Sequence, residues 1–77
     1  MTREMTGAKM LVQALKDWRL AEAKQRQVPA FRILTDRALL GIAIDAPGDV
    51  ESLLAVRGVG PTVVKKYGDA ILGITKA

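Results

Sequence analysis

The sequence contains no cysteine and no histidine, and aromatic residues make up only 4% of its 77 residues. These absences exclude disulfide scaffolds, thiol nucleophiles, zinc sites of the Cys/His type and imidazole acid–base catalysis. No apolar run approaches the roughly 20 residues that a membrane span needs. The N-terminus also lacks the apolar segment of a secretory signal. We therefore expect a soluble, intracellular domain.

The composition that remains is that of a folded globule with a basic excess. Apolar residues make up 49% and charged residues 26%, and twelve Lys and Arg against eight Asp and Glu give a net charge of +4. The whole surplus lies in residues 1–37, which hold eight basic and four acidic residues. Such a basic region is the usual footprint of a polyanion such as nucleic acid. A charge of this size also simply keeps a small domain soluble.

The spacing of apolar residues predicts the first helix over residues 8–27. Leu11, Leu15 and Trp18 recur along one stripe of a 3.6-residue period, so we expect them to face the core. The opposite face carries three lysines: Lys9, Lys16 and Lys24. Pro29 ends this helix, because a proline disfavours the helical conformation of the residue before it. The stretch from there to residue 34 is predicted to be irregular or a single turn.

Capping signals predict the remaining helices. Thr35 and Asp49 have the side chains that cap helix N-termini. A second helix is therefore predicted from Thr35 to about Ile44, with Leu40 among its inward residues, and a third from Asp49 to Val56. Pro61 begins a fourth helix, which Gly68 ends, and Asp69 caps a fifth. No alternating apolar pattern predicts a strand. The chain is thus predicted to be all-α, a compact single-domain bundle of about five helices over 8–77, after a flexible N-terminal segment, 1–7.

No pattern of residues indicates catalysis by this chain. Its carboxylates are spread among predicted caps and solvent faces, and the Gly-rich motifs that bind nucleotides are missing. Asp45, Asp49 and Glu51 are of the type that binds Mg²⁺, but as turn and capping residues they already have structural roles. We therefore predict no catalytic residue, no metal and no cofactor.

A Gly-Val-Gly sequence between two helices is typical of a helix-hairpin-helix corner. Gly58 and Gly60 permit unusual backbone torsions and let a phosphate approach the N-terminus of the next helix. The neighbouring cations would then neutralise phosphates: Arg57, Lys65 and Lys66. The alternative is a plain corner whose middle residue, Val59, plugs the core. The sequence favours neither.

Phe31 and Arg32 form a second candidate site. An aromatic ring beside a cation, next to a basic helix, suits single-stranded nucleic acid, where bases stack on rings and phosphates meet Lys or Arg. The alternative places Phe31, the chain's only phenylalanine, in the core.

Two blocks of sequence, in this order, resemble the HRDC domain (helicase and RNase D C-terminal). The first runs from Val28-Pro29-Ala30-Phe31 to Thr35-Asp36, after Trp18-Arg19. The second combines Gly58-Val59-Gly60 with Lys66-Tyr67-Gly68. The resemblance covers about residues 11–74. It implies an auxiliary module, above all the C-terminal module of a RecQ-type DNA helicase acting in DNA repair and recombination in the bacterial cytoplasm or nucleoid.

The resemblance also implies partners and site residues. Such modules bind single-stranded or partial-duplex DNA weakly, dock on other domains of the parent helicase, and tune which DNA structures it unwinds. The family's DNA-binding positions correspond here to basic residues of the first helix and the following loop, with the aromatic: Arg19, Lys24, Arg26, Phe31 and Arg32. Neutralising about four phosphates would give a salt slope near −3. The isolated domain is expected to be monomeric.

Two alternatives remain open. The domain could instead be a docking module that regulates its parent enzyme. It would use the outward-facing Leu20 and the acidic residues of the second turn, which are Asp45, Asp49 and Glu51. It could also be the accessory domain of an RNase D-like nuclease.

Overall fold

A computed structural model of the chain describes the backbone of residues 3–76 and the side chains of residues 7–76. Its five helices are α1 (Arg3–Arg26), α2 (Ala30–Ile33), α3 (Asp36–Asp45), α4 (Val50–Leu54) and α5 (Pro61–Thr75). Helix α1 packs on α2, α3 and α5, and α4 packs on α5. No strand occurs between residues 3 and 76. The all-α class and the five-helix bundle are therefore confirmed.

Helix α1 is the longest element of the bundle. At 1.5 Å per residue its 24 residues extend about 36 Å, and the longest dimension of the molecule is 37 Å. The helix begins at Arg3, five residues before its predicted start, and it continues through Gly7. The proposed flexible segment thus overlaps α1, while Met1 and Thr2 lie outside the described residues.

Backbone geometry ends α1 shortly before Pro29, as predicted. Gln27 adopts a left-handed conformation with φ of 57°. The amide of Val28 donates to the carbonyl of Ala23 at 3.0 Å, and that of Gln27 donates to Lys24 at 3.3 Å. This pair of hydrogen bonds is the Schellman motif, which satisfies the last carbonyls of a helix and reverses the chain. The chain then enters α2, a single helical turn, which is one of the two conformations predicted for this stretch.

The predicted caps of α3 and α4 are confirmed. The Thr35 hydroxyl accepts from the amide of Ala38 at 3.2 Å, and the Asp49 carboxylate accepts from that of Ser52 at 2.7 Å. Leu40 was predicted to face inward, but it is 47% exposed, because the buried side of α3 is formed by other residues: Ala38, Leu39, Ile42 and Ala43.

The last part of the fold differs from the prediction in one respect. Helix α5 is continuous through Gly68 and Asp69, whereas the sequence predicted two helices there. Gly68 is buried, and a Cβ atom built on it would lie 3.2 Å from Val64 Cγ1 and 4.0 Å from Leu53 Cδ2. The tightest contact of that Cβ atom would be with Val64 of the same helix, so this buried glycine avoids crowding within α5 and does not end the helix. The total remains five because α2 is helical.

Fourteen buried apolar side chains form one core. Every helix contributes to it, and Leu15, Leu39, Ile42, Leu53 and Ile71 are its largest fully buried members.

Candidate nucleic-acid interface

Helix α2 presents an aromatic ring and a cation to solvent. Ile33 and Leu34 take the inner positions of this turn and are buried, so Phe31 and Arg32 are left on the outside. The Phe31 side chain is 64% exposed, which rules out the core alternative for this residue. An exposed phenyl ring offers a flat apolar surface on which a base can stack.

Lys24 lies in the last turn of α1, just before the chain turns into α2. Its side chain is exposed, and neither of the two ion pairs found among the described residues involves it. A cation in the last turn also interacts favourably with the helix dipole. Lys24 and Arg32 are thus both available to an anionic ligand.

Arg19 is engaged within the protein. Its Nη1 atom donates to the backbone carbonyl of Leu34 at 2.9 Å and to the carboxylate of Asp36 at 2.8 Å, and its side chain is only 12% exposed. The guanidinium therefore fixes α1 to the junction between α2 and α3. This geometry leaves little of the Arg19 side chain exposed to a phosphate.

Arg26 lies over the contact between α1 and α5. It pairs with Glu22 at 3.1 Å, and its Cζ atom lies 5.2 Å from the centroid of the Tyr67 ring. Tyr67 in turn meets Trp18 edge-on, with ring centroids 5.5 Å apart. Trp18 packs against the core as predicted. Half of the Arg26 side chain remains exposed, so it can contribute to an interface while also packing.

The three lysines predicted opposite the apolar stripe of α1 form a further basic feature, of which only Lys24 was predicted as a site residue. Lys9, Lys16 and Lys24 lie along one exposed stripe of α1, because their spacings of seven and eight are close to two helical turns. We call these three residues the lysine stripe. Asp17 borders it and accepts a hydrogen bond from Gln13 Nε2 at 2.9 Å. The helical period of the lysines predicted this arrangement from the sequence.

The Gly-Val-Gly corner has a clear structural role. Gly58 has φ of +90°, and a Cβ atom there would lie 3.2 Å from that of Ala38. Val59 is buried in the core, and Gly60 precedes α5. Three basic residues around this corner are exposed: Arg57, Lys65 and Lys66. Their role at phosphates stays a prediction.

The acidic residues lie around the junction between α3 and α4. The pKa of Asp49 is lowered, first by the hydrogen bonds from Ser52 and further by the positive charge of Lys76. Asp45 and Glu51 are exposed beside it. The Thr75 hydroxyl donates to the Pro47 carbonyl at 2.8 Å and ties this junction to the end of α5. Among residues with described side chains, no three metal-ligating groups come together.

The sequence pattern of the HRDC domain matches residues 8–75. The chain belongs to the HRDC family. The fold agrees, because the solved structure of HRDC domain 3 of D. radiodurans RecQ superimposes with a TM-score of 0.86 at 28% identity, covering 90% of this chain and 91% of that one. Within the described part of the chain, no helix is long and apolar enough to cross a membrane.

Curated relatives of this HRDC domain fall into two kinds of enzyme. The ATP-dependent DNA helicase UvrD2 of Mycobacterium tuberculosis is 38% identical over 66 residues, 86% of this chain and 9% of that protein. The ribonuclease D of Gluconacetobacter diazotrophicus is 44% identical over 71 residues, 91% of this chain and 17% of that protein. The chain spans less than a fifth of the length of these relatives. It corresponds to one module of each.

Proposed function

We propose that this HRDC domain is a non-catalytic accessory module that binds single-stranded or partial-duplex DNA weakly and tunes the action of a larger enzyme. Support for a helicase or a nuclease as that enzyme comes from the relatives, a DNA helicase and a ribonuclease D. The RecQ structural neighbour is consistent with a RecQ-type helicase, with roles in repair and recombination, in the bacterial cytoplasm or nucleoid.

The observation that carries this proposal is the exposed ring of Phe31 beside Arg32 on α2, which directly follows the last turn of α1 with its exposed Lys24. Stacking of a base on an aromatic side chain contributes about 1–3 kcal/mol. Lys24, Arg32 and the exposed half of Arg26 neutralise phosphates of the same strand, while Arg19 supports the site from within. Because every base has a flat face, this binding is tolerant of sequence.

Titration of a fluorescently labelled single strand, followed by anisotropy, tests the proposal. Phe31→Ala weakens binding about tenfold, the loss expected when one stacked base contributes roughly 1.4 kcal/mol. Phe31→Trp retains affinity because the flat ring remains. Leu54→Ala is the matched control, since Leu54 is also a large exposed apolar residue but lies on α4. Equal affinity of the wild type and Phe31→Ala would refute the stacking role.

Docking on a basic surface of the parent enzyme is a second candidate function. Its support is that Asp45 and Glu51 are exposed on a junction held in place by the Thr75–Pro47 hydrogen bond. Separate acidic and basic regions orient a domain against a partner. Asp45→Asn with Glu51→Gln alters unwinding or nuclease activity of the parent enzyme but leaves DNA binding by the isolated domain unchanged. The Asp49 cap is left intact in this variant so that α4 stays folded.

A further inference from the structure

Two members of the lysine stripe, Lys9 and Lys16, lie outside the interface around Phe31. At about 1.5 Å per residue, the stripe extends about 22 Å along α1 from Lys9 to Lys24. All three lysine side chains are exposed, and neither of the two ion pairs found among residues 7–76 involves them. The stripe is thus a row of exposed cations that leads away from the candidate interface along α1.

Nearby carboxylates offset only part of the charge of the stripe. Asp17 borders it and keeps its negative charge while it accepts the hydrogen bond from Gln13. Asp36 lines a small pocket between α1 and α3 together with Lys16, but it is already paired with Arg19 at 2.8 Å. Among the described side chains, the three lysines therefore outweigh the charge of Asp17, and the stripe attracts an anionic partner.

The surroundings of the stripe do not suit a single strand. Sites for single strands combine cations with aromatic rings on which the bases stack. The one aromatic residue of α1 is Trp18, which packs against the core on the side of the helix opposite the lysines. Leu20, between Lys16 and Lys24, is a single exposed apolar side chain, which is ordinary on a protein surface. The stripe therefore offers contacts to phosphates and none to bases.

A double strand has the charge density and the stiffness that such a row of cations favours. Duplex DNA carries one negative charge per about 1.7 Å of its axis, twice the density along one of its strands. Its persistence length of about 150 base pairs keeps it straight over the length of the stripe. One straight helix therefore reaches several phosphates of a duplex without the entropic cost of ordering a flexible chain.

We propose that the lysine stripe binds the phosphate backbone of a double-stranded arm, so that the domain recognises the junction of a partial duplex, with the double strand along α1 and the single strand at Phe31. This inference rests on the proposed function, because the Phe31 interface holds the single strand. Lys24 lies where the two surfaces meet, since the last turn of α1 leads directly into α2. One DNA molecule that occupies both surfaces binds more tightly than either of its parts.

Anisotropy titrations of the 77-residue chain with three labelled DNAs test this inference. They are a single strand, a blunt duplex of about 12 base pairs, which at about 3.4 Å per base pair is longer than the stripe, and the same duplex with the single strand as an overhang. The wild type binds the partial duplex most tightly. Lys9→Gln with Lys16→Gln lowers the slope of log K against log salt on the partial duplex by about 1.8, because two duplex contacts of about 0.9 each are lost. The same variant binds the single strand like the wild type.

Two matched variants control for effects other than the lost contacts. Lys9→Arg with Lys16→Arg keeps both charges and therefore keeps the wild-type slope on the partial duplex. Lys76→Gln removes an exposed lysine that follows α5 and leaves that slope unchanged.

An unchanged slope on the partial duplex in Lys9→Gln with Lys16→Gln, or an equal loss of affinity for the single strand, would overturn the assignment of the stripe to a double strand. Equal competition by polyglutamate would overturn it as well, since the ligand of the stripe would then be an acidic polypeptide. The single strand alone reports on the proposed function. If Phe31→Ala binds it like the wild type, that function fails, while the salt slope on the blunt duplex still tests the stripe.

Discussion

The Nη1 atom of Arg19 serves two acceptors, the Leu34 carbonyl and the Asp36 carboxylate, from a side chain that is almost fully covered. Arg19→Ala removes the partner of a backbone carbonyl at a part-buried position, so we expect the free energy of unfolding to fall by about 1–3 kcal/mol. Asp36→Asn changes it by less than about 1 kcal/mol, because exposed ion pairs contribute little. Urea unfolding of both variants measures the difference.

The two variants also separate structural from ligand-binding roles of this arginine. If Arg19→Ala unfolded like the wild type but lost most of its DNA affinity, Arg19 would be a direct contact and the interface proposed here would need to include it.

The carboxylate of Asp49 makes the stability of α4 dependent on pH. Its pKa is lower in the folded state because the Ser52 amide and hydroxyl donate to the ionised form. The folded state therefore takes up this proton less readily than the unfolded state. The resulting stabilisation is present at neutral pH and is lost as the pH falls through the lowered pKa.

Asp49→Asn isolates this contribution. Asparagine caps helices about as well as aspartate but does not titrate. We expect the variant to lose less stability than the wild type between pH 7 and pH 3, as measured by urea unfolding at both values. Identical pH profiles of the two proteins would show that the cap does not contribute to acid sensitivity.

At the scale of the helices, two glycines inside helices predict opposite effects of one substitution. A Cβ atom on Gly41 in α3 would lie 2.8 Å from Cγ1 of Val56, a buried side chain, whereas a Cβ atom on Gly73 in α5 meets nothing within 4 Å. Gly41→Ala overpacks the core, which costs about 1–3 kcal/mol. Gly73→Ala raises stability by about 0.5–1 kcal/mol, the difference in helix propensity.

Thermal unfolding of these two variants checks the prediction. A higher midpoint for Gly73→Ala and a lower one for Gly41→Ala are expected. A higher unfolding midpoint in both variants would mean that α3 and the turn before α5 can move apart without loss of packing.

Local chemistry explains which helix boundaries could be predicted from sequence. Thr35 and Asp49 cap helices through hydrogen bonds to amides three residues away, and Pro61 fixes a first-turn torsion, so all three act within a single turn. The predictions that Gly68 ends a helix and that Leu40 faces inward were wrong, because the surroundings of both residues depend on how the helices pack. Gly68 lies buried on α5, on which α4 packs, and the packing of α3 within the bundle decides which of its sides is covered.

The candidate interface also combines features set within one helix, which the sequence predicts, with features set by the packing of helices, which it does not. The Glu22–Arg26 pair, four residues apart on one helix, can be anticipated from spacing, whereas the Arg19–Asp36 pair joins residues 17 positions apart and depends on how α1 meets α3. The exposure of Phe31 likewise follows from the direction in which α2 leaves α1, which the Schellman motif at Gln27 sets.

For the whole molecule, the ion pairs lower the number of cations available to a single strand. With Arg19 excluded and Arg26 shared with Glu22, two or three phosphates are neutralised, which predicts a slope of log K against log salt of roughly −1.4 to −2 instead of −3. Lys24→Gln reduces the slope by about 0.7. Lys76→Gln, at the other end of the bundle, leaves it unchanged.

Anisotropy titrations at several salt concentrations measure these slopes. Binding that does not vary with salt, or an equal effect of the two lysine variants, would contradict an interface built on Lys24 and Arg32.

The edge-on contact of Trp18 with Tyr67 gives the domain its own optical reporter. The chain has one tryptophan and one tyrosine, and they meet across the contact between its two longest helices. Separation of those helices moves the indole from an apolar environment into water, and its emission follows. Refolding kinetics can therefore be recorded on the unmodified chain, with a signal that arises from a single, known contact.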